Sequence, residues 1–197
     1  MKNLILISIA VSGLFLSSCN NKNNDSDNTK MGDSTDAKKV AIDSNKEKFS
    51  DSTIKPDTKF AVAAADGGMM EVELGKLALT KGNSPEVKKL GQMMVDDHSK
   101  ANEELKKWAA EKNISIPVNL GDANQNRVKD ISSKTGNDFD KAYTSIMVSD
   151  HKEDIDDFKK EAKDGKDADI KAWAAGKIST LEHHLQMAES TEKVVKK

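Results

Sequence analysis

Apolar residues are distributed along this chain in three unlike ways. Leu4 to Leu16 is a short, nearly continuous apolar run broken by Ser8, Ser12 and Gly13. From 20 to 57 apolar residues thin to Met31, Ala37, Val40, Ala41, Ile42, Phe49 and Ile54, with no periodic face. From 58 onward they return at three- and four-residue spacing, the pattern of helices that bury one stripe. Four long helices are predicted. The first, 58–81, turns Phe60, Ala64, Gly67, Leu74 and Ala78 to one side. The second, 85–112, carries Val87, Leu90, Met94, Ala101, Leu105 and Trp108. The third, 137–163, buries Tyr143, Met147, Ile155 and Phe158, and the fourth, 168–195, buries Ile170, Trp173, Ala174, Leu181, Leu185 and Ala188.

The punctuation agrees with these spans. Lys81-Gly82-Asn83 stops the first helix; Ser84 is a natural N-cap and Pro85 a natural first-turn residue for the second. Asn137 or Asp138 is expected to cap the third, and Gly165 to end it. The two short breaks make their flanking helices antiparallel neighbours. The connection over 113–136 is longer, and Val128 and Ile131 within it predict a short extra helix over 123–134. No segment alternates as a strand would. The expected fold class is therefore all-α, an up-down-up-down four-helix bundle over 58–197 with an extra helix in the second connection.

The opening run is too short for a membrane span, which needs about 20 apolar residues, and with Lys2 before it reads as a signal peptide over 1–18. It ends in Leu16-Ser17-Ser18-Cys19, which resembles the lipobox of bacterial lipoproteins. Cys19 is the only cysteine in the chain. Lipidation there would anchor the protein to a membrane, and Asn20 in place of an Asp favours the outer membrane of the cell envelope. Residues 19–57 then read as the lipidated Cys and a disordered polar tether, spanning roughly 35 Å as a flexible coil. A short helix near Ala37 to Phe49 would change little.

Composition narrows the function. With 31 basic and 33 acidic residues in 197, and a net charge of −2, the chain carries no basic stripe, so nucleic acid is not an expected partner. One Cys excludes a disulfide framework and a cysteine-rich zinc site. No Gly-rich phosphate loop follows a strand.

The chemistry lies in the helical stripes. At about 100° per residue, His98, His151 and His184 share faces with core residues, as does Glu71; His183 and Glu73 point away. Each of the four lies within about three residues of its helix midpoint, roughly 4 Å of rise, so one polar group from each helix can meet at one level. Such a layer suits a single transition-metal ion, zinc, copper, iron or nickel, with Asp97 and Asp150 as acceptors orienting the rings. A His–Glu hydrogen-bond network satisfies the same residues without metal, and a rotation of the helices would leave the rings at the boundary. Met94 and Met147 each stand one turn before a His, and Met187 one turn after His183. This is a Cu(I)-type pairing, or simply methionine filling a helical core. Met93-Met94-Val95-Asp96-Asp97-His98 also echoes Ile146-Met147-Val148-Ser149-Asp150-His151 at an offset of 53.

Glu71-Val72-Glu73-Leu74-Gly75-Lys76-Leu77-Ala78, Met94-Val95-Asp96-Asp97-His98, Phe139-Asp140 with Ala142-Tyr143, His151 and His184 together resemble the domain of unknown function 4142 family. That resemblance implies a ferritin-like fold and an outer-membrane or periplasmic location, and no function. The residues three before His98, His151 and His184 are Val95, Val148 and Leu181, so the Glu-x-x-His pairs of di-iron proteins are missing. Three roles follow: a non-enzymatic, stress-related envelope lipoprotein binding an unidentified protein or ligand; a metal-binding envelope protein; or, last, an enzyme with a metal-activated water, for which no dedicated general base stands out.

Overall fold

The computed structural model describes residues 36–197, and the signal run and Cys19 lie outside them. Among the described residues the chain is all-helical: α1 (Ala37–Lys48), α2 (Lys55–Lys81), α3 (Pro85–Glu111), α4 (Asp122–Ser132), α5 (Gly136–Asp164) and α6 (Ala168–Val195). No helix is long and apolar enough to cross a membrane among them. The four long helices and the short α4 match the predicted spans to within three residues at either end.

Their ends differ in one respect. Ser84 caps α3 by accepting from Glu86 N, and Pro85 opens it. The predicted Asn137 or Asp138 cap of α5 is not formed: Thr135 holds the N-cap position without a side-chain bond, and Gly136 turns in at φ 56°. A left-handed φ is open to Gly at no steric cost, so the helix starts one residue early.

Helix α2 packs on α3 and α5 on α6; α2 also meets α5, and α3 meets α6. The first pair is antiparallel and very close. A Cβ at Gly75 would lie 2.7 Å from the Gly91 carbonyl oxygen, and one at Gly91 would lie 2.7 Å from Ala78 Cβ. Only glycine permits that approach, and it sits one turn from Glu71. Gly68 would meet only the Asn102 side chain, and Gly67 faces nothing within 4 Å, so Gly67 is not the contact its stripe suggested. Above the glycines, Leu74, Leu90, Met94, Phe139, Tyr143 and Met147 share one core cluster.

Two buried aspartates tie the halves together reciprocally. Asp57, near the start of α2, accepts from Lys166 N and Asp167 N in the α5–α6 turn, at 2.9 and 2.7 Å. Asp140, near the start of α5, accepts from Asn83 N and Ser84 N in the α2–α3 turn, at 2.9 and 2.7 Å. The pairs 57/140, 71/154, 82/165 and 84/167 are all 83 residues apart: Asp with Asp, Glu with Asp, Gly with Gly, and one N-cap with another. The hairpin α2–α3 and the hairpin α5–α6 therefore answer each other. The echo at 53 pairs α3 with α5 instead, and it is not the relation these locks obey.

The largest departure from expectation is α1. Residues 36–57 are not a free tether. Asn45 is buried, donating from Nδ2 to Ser115 O and accepting from Ser115 N, both at 2.7 Å. Lys38 pairs with buried Asp66, whose Oδ1 also accepts from Gly121 N at 2.7 Å. The helix docks by polar contacts, which is why apolar spacing did not reveal it.

Candidate metal centre

Each long helix delivers one polar residue to a shared level: Glu71 from α2, His98 from α3, His151 from α5 and His184 from α6. All four are buried. The three ring centroids form a near-equilateral triangle of 5.4, 5.2 and 5.3 Å. One ring nitrogen from each imidazole lies within 4.8 Å of the other two. His183, beside His184, is exposed, as its face predicted.

The remaining nitrogens are held from outside. His98 Nδ1 is 2.8 Å from Glu71 Oε2. His151 Nδ1 is 3.0 Å from the Met147 carbonyl oxygen, which fixes that nitrogen as the donor. His184 Nε2 is 2.8 Å from Asp97 Oδ2. Where each of these outer nitrogens carries the ring proton, the opposite one keeps a lone pair: His98 Nε2, His151 Nε2 and His184 Nδ1. His98 Nε2 is buried and has no hydrogen-bond partner. His151 Nε2 and His184 Nδ1 stand 3.2 Å apart. Two nitrogens bound tetrahedrally at about 2.05 Å lie about 3.3 Å apart, so this spacing fits one shared ion.

Electrostatics favour neutral rings. Burial brings His98 and His184 down to about 4. It pushes His151 well below its ordinary value, and positive charge on the other two rings would depress it further. Burial also raises Glu71 well above the carboxylate range, with Asp150 adding to the rise.

Of the predicted acceptors, Asp97 meets its ring partner. Asp150 does not: its Oδ1 takes Arg127 Nη1 at 3.2 Å, its Oδ2 is unpartnered, and burial lifts it to about 6. It orients no imidazole, because an adjacent residue on α5 points about 100° away from His151. Met94 and Met147 pack in the core cluster, and Met147 serves the site through its carbonyl oxygen rather than its sulfur. Sequence reading missed Asp154. It stands beside Glu71 and His151, and burial, then the Glu71 charge, raise it strongly. Its signal was its place three residues after His151, on the same face.

The chain is thus an all-helical protein, among the described residues, with a layer of buried imidazoles. The chain belongs to the domain of unknown function 4142 family, whose profile matches residues 43–191. No curated protein and no solved structure matches it.

Proposed function

We propose that this protein is a metal-binding module of the bacterial cell envelope. It holds one transition-metal ion through His98, His151 and His184, in the core of an up-down-up-down, ferritin-like four-helix bundle, for metal sequestration or stress tolerance. Lipid on Cys19 carries it at the outer membrane; the Leu16-to-Cys19 tetrapeptide supports that location.

One observation carries the metal reading. Met147 O, His151, His184 and Asp97 form a line of three polar contacts. Each contact needs a proton between its two atoms, and two neutral imidazoles supply two. Without metal the pair must hold a third proton, which burial opposes, leave two acceptors facing each other, or release the exposed Asp97 carboxylate to water. An ion bound to His151 Nε2 and His184 Nδ1 removes the shortfall, since each ring then donates outward and ligates inward. Imidazoles in metal sites characteristically donate their second N–H to a carboxylate or carbonyl, and each of the three has such an oxygen within 3.0 Å of its outer nitrogen. Three neutral imidazoles suit zinc, copper or iron.

The test is elemental analysis of protein purified without an affinity tag, with His151→Ala alongside. The parent is expected to hold about one equivalent after dialysis and the variant none. Added Zn²⁺ should raise the parent's melting temperature, by about 2.7 kcal/mol of stability at a hundredfold excess over Kd. Equal trace metal in parent and variant, with no Zn²⁺ stabilisation, would leave the hydrogen-bonded network as the reading.

A further inference from the structure

A cavity of about 270 Å³ opens among α1, α2, α4 and α5, and five carboxyl side chains line it: Glu71, Asp150, Glu153, Asp154 and Asp157. Two cationic side chains, Lys38 and Arg127, line it as well. Lys38 is paired with Asp66 at 3.1 Å, and Arg127 takes Asp150 Oδ1 at 3.2 Å. The acids outnumber the bases, and neither base is free.

Surplus charge alone does not make a site; two buried atoms add to it here. Glu71 is 1% exposed and Asp150 8%. Each keeps one carboxyl oxygen, Glu71 Oε1 and Asp150 Oδ2, buried and without a hydrogen-bond partner. His151 Nδ1 lies 3.4 Å from Glu71 Oε1, but it is bonded to the Met147 carbonyl oxygen at 3.0 Å. Asp154 brings a carboxyl oxygen within 4.8 Å of one on Glu71. Asp150 and Asp154 are four residues apart on α5, so their side chains are neighbours on one face. Buried like charges at this range repel, and a buried carboxyl oxygen without a partner loses the hydration it had in water. A cation among the three groups relieves both.

We propose that Glu71, Asp150 and Asp154 hold a hard divalent cation, separate from the ion at the imidazoles. Donors that are all oxygen suit the calcium, magnesium and manganese class rather than the ions imidazole prefers. Ca²⁺ takes about six to eight oxygens in flexible geometry; the three carboxyl groups supply part of that shell and water the rest. One water occupies about 10–15 Å³ on the cavity's measure, so there is room for several. Glu71 then serves both places, with Oε2 on His98 Nδ1 at 2.8 Å and Oε1 on the cation. No ring nitrogen is used, so the inference does not rest on the metal reading above.

The experiment titrates Ca²⁺ calorimetrically into the full chain after chelator treatment, with and without one equivalent of Zn²⁺. One equivalent of Ca²⁺ is expected to bind in both cases. Asp154→Asn, which keeps the shape and removes the charge, should weaken Ca²⁺ at least tenfold. Asp150→Asn should act in the same direction and carries the test where Asp154→Asn does not fold. Equal affinity in the parent and both variants would place Ca²⁺ on exposed acids and overturn the site. Loss of Ca²⁺ binding on addition of Zn²⁺ would show one site serving both ions and overturn the second. No Ca²⁺ binding by protein that takes up Zn²⁺ would overturn this proposal and leave the metal reading standing. Uptake of neither ion would overturn both.

Discussion

Three imidazoles buried without charge make folding sensitive to acid. In the unfolded chain each titrates near 6.5, whereas in the fold His98 and His184 are brought down to about 4. Below 6.5 the unfolded chain therefore binds more protons than the folded one. Stability falls as the pH drops from about 6.5 toward 4. Asp150, raised to about 6, acts in the opposite sense: its contribution is present in acid and fades as the pH rises through 6. In metal-free protein, His98→Gln should cost about 1–3 kcal/mol at pH 7.5, where Glu71 loses its partner. The gap to the parent should narrow at pH 4.5, because the variant no longer has a ring to protonate on unfolding. Urea unfolding at the two pH values measures this, and a gap that does not change with pH would mean the His98 ring titrates as an exposed one. At this scale the sequence was informative about direction and silent about partners. The helical wheel placed four side chains inward, but it could not say that Asp97 serves His184 on another helix while Asp150 serves Arg127.

Helix spans were legible because they are punctuated: Gly82 and Ser84-Pro85 at one turn, Gly165 at the other. What holds the turns to the opposite hairpin was not legible, since buried Asp57 and Asp140 look like any of the chain's many acids. Each accepts backbone N–H groups that would otherwise be orphaned at the start of a helix. Asp57→Ala strands Lys166 N and Asp167 N; Asp140→Ala strands Asn83 N and Ser84 N. Each change should cost about 1–3 kcal/mol for every group left buried and unsatisfied. The two locks lie at opposite ends of α2, a helix about 40 Å long. The double variant should then equal the sum of the singles within about 0.5 kcal/mol. A large interaction between them would show that the locks act through one shared element. The reciprocal pattern also explains the asymmetry of the centre. Glu71 and Asp154 correspond across the 83-residue relation and meet, whereas His98 answers Leu181 and His184 answers Ala101. One hairpin supplies a single imidazole and the other supplies two.

At the scale of the whole molecule the folded unit begins earlier than its apolar periodicity indicates. Helix α1 offers little apolar surface: Val40 and Ile42 face solvent, and Ala41 is its buried apolar residue. It is held by Asn45 and Ser44 on Ser115, Lys48 on the Asn113 carbonyl oxygen, and Lys38 on Asp66. Phe49 and Ile54 then pack against the cluster of Ala61, Leu105, Trp108, Ile114 and Ile170. The family match, which begins inside α1 at residue 43, agrees with that boundary. A chain beginning at Lys55 should still fold, because the four long helices and their core are complete. It should be weaker than one beginning at Asp36. The lost side-chain bonds are worth about 1 kcal/mol each, offset by the entropy of ordering roughly twenty residues. A net loss of about 2–3 kcal/mol lowers the melting temperature by roughly 4–12 °C at this size. Metal stoichiometry should not change, since none of the residues α1 touches is a proposed ligand. Equal melting temperatures for the two chains would restore α1 to the tether. Loss of metal on trimming would show instead that the Lys38–Asp66 contact, five residues before Glu71 on α2, helps to hold the carboxylate in register.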